Sequence, residues 1–231
     1  AIETAVLQSR SDGAIIESFI DGKEYAAEGF TYKGKFYPLC LSEKRKVDST
    51  NNTVANELFT PTIDKKISDE IWQVVQNAVL SLSDSDTSSH TEVLVDSLGK
   101  IWLVESAGRG GGFMVAEGLL PWAFGIDLAE ISVKAACNIE MTIPEPNKTY
   151  ATLRFYPSRK GILKSILGMD KCHGVRNLLV GALADIGTQF SEGQNDAARL
   201  GYILARGNSQ REALALADFA MESIEFNVEP E

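Results

Sequence analysis

The sequence predicts an α+β protein: an antiparallel sheet with flanking helices, followed by a small α+β unit at the C-terminal end. Three observations predict it. Residues 25–32 and 35–42 read as strands around Lys33-Gly34, and residues 91–96 and 100–106 as strands around Leu98-Gly99, which is the punctuation of hairpins. Two segments carry apolar residues at helical spacing, Ile71, Val74, Val75, Ala78 and Val79 in one and Ala213, Leu216, Ala217 and Ala220 in the other. The composition, 44% hydrophobic and 23% charged over 231 residues, is that of a folded chain rather than a disordered or fibrous one. Pro144 and Pro146 mark a boundary, so residues 1–146 and 147–231 are expected to form two units.

Taken in order, Ile2, Ala5, Val6 and Leu7 sit at helical spacing before Ser11-Asp12-Gly13 ends the run. Ala14-Ile15-Ile16 has the signature of a buried strand. The pattern is already under way at Ala1, which predicts a chain trimmed from a longer protein; removal of an initiator Met ahead of Ala1 is the alternative. Pro38 has no N–H to give a ladder, so its position should need none. Residues 48–62 are polar at their start and read as a loop of a length often put to functional use. Ser68 caps the helix that carries Ile71, with Asp69 and Glu70 in its first turn. Ser81 to Ser89 reads as a connector. The glycine run Gly108-Arg109-Gly110-Gly111-Gly112 follows the second strand pair, then a mixed helical stretch extends to about Asn138. Beyond the boundary, 151–156 and 201–205 read as strands and 210–223 as a helix capped by Ser209.

The net charge is 22 − 32 = −10. A surface of that sign repels phosphate backbones, so no nucleic-acid partner is expected. No apolar run is long enough for a membrane span. Cys40, Cys137 and Cys172 are odd in number and lack metal-type spacing, which fits free thiols in a cytoplasmic protein.

The chemistry concentrates in residues 92–109. With a two-residue turn at Leu98-Gly99, Glu92 lies opposite Glu105, and alternation puts Glu92, Leu94, Leu103 and Glu105 on one face. Facing carboxylates repel unless a hard cation sits between them, and Mg²⁺ is commonly held by one or two carboxylates plus substrate phosphates. Another register would leave both glutamates in solvent. Arg109, set among glycines, offers a bidentate fork beside accessible backbone, an anion clamp next to the candidate metal site; a plain surface turn would look the same. Together they are the equipment of phosphoryl transfer. Lys44-Arg45-Lys46 is a basic spot suited to phosphate or to solvent. His90 and His173 lack acidic partners at set spacing and read as structural.

In combination these segments resemble the C-terminal part of an ATP-grasp ligase, similar to L-amino-acid-ligase-like and carbamoyl-phosphate-synthase-large-subunit-like proteins. The resemblance is carried by residues 14–24, Leu41 to Lys46, His90 to Val93, Val104 to Gly112, Phe124 to Leu128, and Arg199 to Gly207. It implies ATP and Mg²⁺ (or Mn²⁺) as cofactors. Glu17 would accept from the adenine amino group, the backbone of Phe19 and Ile20 would meet the ring edge, and Leu94 would pack on its face. Glu24 would hold the ribose and Lys44 a phosphate. Glu92 and Glu105 would ligate the metal, and Arg109 would hold a carboxylate or acyl phosphate. Where many members carry a further metal-binding Asn, this chain has Ala107, which leaves one or two ions open. The implied activity is carboxylate–amine ligation through an acyl phosphate, on small-molecule carboxylate and amine substrates, in a protein compatible with a homodimer. The alternatives are a biotin-carboxylase-like or kinase-like enzyme, or a non-catalytic nucleotide-binding module. The family's glycine-rich lid would lie upstream of Ala1, so residues 1–231 alone are expected to turn nothing over.

Overall fold

The computed structural model describes residues 2–11, 13–46, 55–190 and 199–230. The polar start of the expected loop, 48–54, lies outside them. Helix α1 (Ile2–Gln8) leads into an extended segment, then strands β1 (Gly22–Tyr32), β2 (Lys35–Lys46) and β3 (Ala55–Phe59). Helix α2 (Lys65–Leu82), strands β4 (Thr87–Asp96) and β5 (Ile101–Ala107), a π-helix (Val115–Phe124) and α3 (Leu128–Ala136) follow. The C-terminal part holds β6 (Tyr150–Pro157), β7 (Gly161–Leu167), β8 (Leu178–Ala182), β9 (Gln189–Phe190), β10 (Arg199–Gly207), α4 (Gln210–Ser223) and β11 (Glu225–Glu229).

Eight strands form one antiparallel sheet in the order β5-β4-β1-β2-β3-β6-β10-β8, and β11-β7-β9 form a small second sheet. The β1–β2 turn places Lys33 (φ 51°) and Gly34 (φ 73°) in the left-handed region, the geometry that matches the twist of a two-residue hairpin. Pro38 opposes Gly29 where the register shifts, a bulge that removes the need for its missing donor.

Strand alternation divides the large sheet into two faces. On the back face α2 lays Ile71, Val75 and Val79 on Tyr25, Ala27, Val93 and Val95. Further along that face Ala217 and Ala220 of α4 close a second core with Tyr156, Leu163 and Ile203. On the other face, hereafter the cleft face, Leu119, Leu120 and Ile126 cover Phe30, Leu153 and Leu204. Each large apolar side chain so buried contributes about 1.5–3 kcal/mol. Among the described residues this packing covers the Ala26–Tyr32 part of β1, and the polar residues Glu24, Lys44 and Glu92 gather beside it.

Several elements differ from expectation. Residues 55–59 are a strand rather than loop, because β3 bridges β2 to β6 (Lys44↔Leu58, Leu58↔Leu153); pairing on both sides outweighs a weak local signal. On the back face Glu57 of this strand, 1% exposed, accepts from Arg154 Nε (2.7 Å) and Thr152 Oγ1 (3.1 Å) and meets Arg45 Nη1 at 2.5 Å. Helix α2 starts earlier than Ser68: Asp64 caps it by accepting from the Lys66 N–H (2.8 Å). The expected connector 81–89 is shortened to 83–86 by the end of α2 and the start of β4, where Ser88 and Ser89 are buried against β1. Residues 14–16 are not a buried strand: Ile15 and Ile16 are 86% and 77% exposed, and no strand among the described residues pairs with them. Cys40 and Cys172 are buried and Cys137 is exposed, all three as free thiols.

Candidate active site

The site is built from alternate residues of three neighbouring strands. Glu24 pairs with Lys44 on one side and Leu94 on the other, Ala26 with Glu92, and Glu28 with His90. Because strand side chains alternate, Glu24, Glu28, Lys44, His90, Glu92 and Leu94 all point to the cleft face. Glu92 also lies directly opposite Glu105. The route to that pairing is not the expected one. The β4–β5 turn is longer than two residues, and Val95↔Ile101, Leu94↔Trp102 and Val93↔Leu103 run one position off; a bulge at Val104 then restores Glu92↔Glu105. Leu103 therefore pairs with Val93, away from the face of Glu92.

The carboxylates of Glu24, Glu28 and Glu92 are held by cations. Lys44 Nζ bonds Glu24 Oε1 at 2.7 Å and Glu92 Oε1 at 2.5 Å, and Lys46 Nζ meets Glu24 Oε2 at 2.5 Å. His90 donates from Nδ1 to Glu28 Oε1 and from Nε2 to Glu92 Oε1 (3.3 Å). Donation from both ring nitrogens requires the imidazolium. Burial works against that charge, but the bonds to Glu28 and Glu92 outweigh it and push the His90 pKa up to about 9. Burial likewise disfavours the charged forms of Glu92 and Lys44. It is outweighed at Glu92 by His90 and Lys44, which bring the carboxyl down to about 2, and at Lys44 by Glu24 and Glu92, which hold the amine above its usual value.

One ligand atom each from His90, Glu92 and Glu105 lies within 4.8 Å of the others. The two facing carboxylates fit a divalent cation, while the His90 ring, held as an imidazolium, stands beside them as a cation rather than a ligand. Glu105 is exposed and has no cationic partner among the described residues. Arg109 is exposed too, and donates from Nη1 to its neighbour's carbonyl, Gly110 O (3.1 Å). Both line a cleft of about 440 Å³ together with Lys44, His90, Glu92 and Arg199. So the structure brings together Lys44, Glu92, Glu105 and Arg109, with Glu24 and Leu94 adjoining on the same face. It does not bring Glu17, Phe19 or Ile20 to that cleft: they lie in the extended segment before β1, where Phe19 is 90% exposed.

Three residues join the site that the sequence does not single out for it. His90, expected to be structural and without acidic partners, has two of them. Glu28, 2% exposed, joins it to the glycine run through Gly111 N–H (2.9 Å). Arg199, 8% exposed, reaches the cleft from β10, its guanidinium 4.7 Å from the Phe113 ring and 3.6 Å from Phe155, while Nη2 donates to Ala55 O (2.8 Å).

Comparison with known proteins meets this geometry. The family model of the ATP-grasp domain matches residues 2–117, and that of the L-amino acid ligase C-terminal domain 2 matches residues 154–229. No curated protein sequence matches the chain. Among solved structures, the L-amino acid ligase from Bacillus licheniformis superposes with a TM-score of 0.78 at 20% identity, over 91% of this chain and 53% of that one. Phosphoribosylglycinamide synthetase from Anaerococcus prevotii gives 0.76 at 17% identity (98% and 58% covered). N5-carboxyaminoimidazole ribonucleotide synthetase from Thermotoga maritima gives 0.72 at 16% (92% and 55%). The chain thus spans a little over half the length of these structures. Strands β4 and β5, which set Glu92 opposite Glu105, lie within the first matched segment, and β10 and α4 within the second: the chain belongs to the ATP-grasp family.

Proposed function

We propose that the full-length protein is an ATP-dependent carboxylate–amine ligase that forms an amide bond through an acyl phosphate. The observation that carries this reading is the convergence of His90, Glu92 and Glu105 within 4.8 Å of one another, in one cleft with Lys44 and Arg109. Glu92 and Glu105 would hold Mg²⁺ or Mn²⁺, with the His90 ring as neighbour. The bound ion would supply charge neutralisation for the phosphates. Lys44, now bonded to Glu24 and Glu92, has a flexible stem that can turn to a phosphate oxygen once a dication satisfies Glu92. Arg109 would bind the carboxylate and the charge that grows on the transferring phosphoryl group. Glu24 would take ribose hydroxyls, Leu94 would pack against the base, and Glu17, Phe19 and Ile20 would complete the adenine side. The proposed division is functional: residues 1–146 provide the nucleotide and metal strands, and residues 147–231 deliver Arg199 to the same cleft.

The test is a screen of the full-length protein for Mg²⁺-dependent ADP release with amino acids, singly and in pairs. The expected result is ADP only when an amine accompanies the carboxylic acid, with a new amide by mass. Release driven by bicarbonate and biotin, or a phosphorylated alcohol as product, overturns the ligase reading in favour of a carboxylase or kinase. Arg109→Lys should lower kcat by about 10²–10³ rather than merely raise KM, because the fork also meets charge that grows in the transition state. An unchanged kcat would place the anion clamp elsewhere.

A further inference from the structure

We infer that Glu28 is a positioning residue: its single buried carboxylate ties the middle of the arginine-bearing glycine turn to the His90 ring, and so sets where Arg109 and His90 stand beside the carboxylate pair. Glu28 sits in β1 between Ala26 and Phe30, both core residues. A carboxylate there is costly unless its oxygens are bonded. They are spent on two distant segments. Oε2 accepts from Gly111 N–H (2.9 Å), 83 residues away, and Oε1 accepts from His90 Nδ1, 62 residues away.

The glycines show that the contact is built for closeness. A Cβ on Gly111 would lie 2.5 Å from Glu28 Oε1, 3.0 Å from His90 Nδ1 and 3.0 Å from Val115 Cγ1. Gly110 is pinned from the other side, where a Cβ would lie 2.5 Å from Leu128 Cδ2. Gly108 and Gly112 have open space at the same position. The turn therefore has a fixed middle and free flanks, and Arg109 stands at the junction. Among the described residues its guanidinium bonds only the carbonyl of the next residue, so within them the backbone of the turn is what directs it. A displacement of about 1 Å in a positioning element costs on the order of 10²-fold in rate, which makes the anchor of that backbone matter.

The kinetic arm of this inference rests on the ligase reading; the structural arm does not. In the full chain, Glu28→Gln keeps one acceptor oxygen and cannot accept from both Gly111 N–H and an imidazolium at His90, while Gly111→Ala leaves Glu28 in place and blocks the contact from the loop side. Hydrogen exchange of the peptide spanning Gly110 to Gly112 should be about tenfold faster or more in either variant, the effect of losing a charge-assisted hydrogen bond. With ADP release as readout, kcat should fall about 10- to 100-fold while KM for ATP stays within about threefold. The double variant should be no worse than the worse single one, since both break one contact. Unchanged exchange in Glu28→Gln, or fully additive losses in the double variant, would overturn the inference. A Glu28→Gln protein that does not fold leaves the decision to Gly111→Ala. No ADP release by the unsubstituted protein with any carboxylate and amine would instead sink the ligase reading, with the exchange result still deciding the role of Glu28.

Discussion

Raising the pH from 7 to 9 should destabilise this protein through one residue. His90 is held as an imidazolium by Glu28 and Glu92, with a pKa of about 9 against 6.5 for the free side chain. A group whose folded pKa is raised contributes stability that is complete below the unfolded pKa and is lost as pH rises through the folded one. The window is therefore 6.5 to 9. A shift of that size corresponds to about 3 kcal/mol in full. Linkage places about 2 kcal/mol of the loss between pH 7 and pH 9. The side chain is only 10% exposed, so solvent screening removes little of it.

The window is also clear of the main competing titration. The Cys40 thiol is pushed up to about 12 by burial from an ordinary 9.0, so it destabilises the fold only above pH 9. Urea unfolding at several pH values between 6 and 9, extrapolated to water, reads the effect directly. In Glu28→Gln the first-named partner is gone and the slope should flatten to less than half. The reasoning fails if the unsubstituted protein loses no stability across that window, or if Glu28→Gln loses as much. At the acid end the sign reverses. Glu92, lowered to about 2 from 4.5 by His90 and Lys44 against the pull of burial, should release stability as pH falls from 4.5 through 2.

Three further outcomes are expected. Glu105→Gln should abolish Mg²⁺-dependent turnover of the full-length protein yet leave the metal-free fold as stable or more so, because it relieves repulsion with Glu92; a lowered melting temperature would show that Glu105 holds the sheet instead. Glu57→Gln should cost about 3 kcal/mol or more in urea unfolding, since it strips a buried carboxylate from Arg154 and Arg45, and a neutral result would mean that solvent already satisfies both arginines. Gly110→Ala should cost about 1–3 kcal/mol by overpacking against Leu128, whereas Gly112→Ala, with open space around it, should stay within about 0.5 kcal/mol; equal costs would contradict the picture of a turn pinned only at its middle.

What the sequence revealed follows the range of the forces involved. The β1–β2 hairpin, the apolar stripe of α2 and helix α4 with its Ser209 cap are set by neighbours within a few residues, and each is where the pattern put it. The start of α2 differs from the expected one because Asp64 and Ser68 are both competent caps. Asp64 prevails once Ile67 joins the core beneath the helix. Strands β3, β8, β9 and β11 have five residues or fewer and exist because of partners far away in sequence. Nothing local distinguishes them from loops. Residues 14–16 show the converse: an apolar run looks like a buried strand wherever it occurs, but burial needs a neighbour, and among the described residues none pairs with it.

The candidate site divides along the same line, with one instructive exception. Glu92 and Glu105 face each other as a two-residue turn would require, yet the turn is longer and the bulge at Val104 makes up the difference. A correct pairing was reached from a wrong register. Bulges commonly re-aim a side chain next to a functional site, and this one has that consequence: without it Glu105 would fall on the back face and only Glu92 would remain in the cleft. His90 was within reach, since period-two alternation puts it on the face of Glu92. What could not be read was its partner, because no turn connects β1 to β4 and their register is fixed only by packing. Glu28 thereby changes the meaning of two motifs at once. It makes the neighbouring histidine a held cation rather than a core residue, and it makes Gly111 a contact point rather than mere flexibility. On the ligase reading the local charges then form a closed set while no dication is present: Lys44 and His90 satisfy Glu92, and Glu105 stands ready without a cation. A dication entering between Glu92 and Glu105 would release Lys44 toward the phosphates. The lysine that holds the site together in this structure would then become the group that grips the nucleotide.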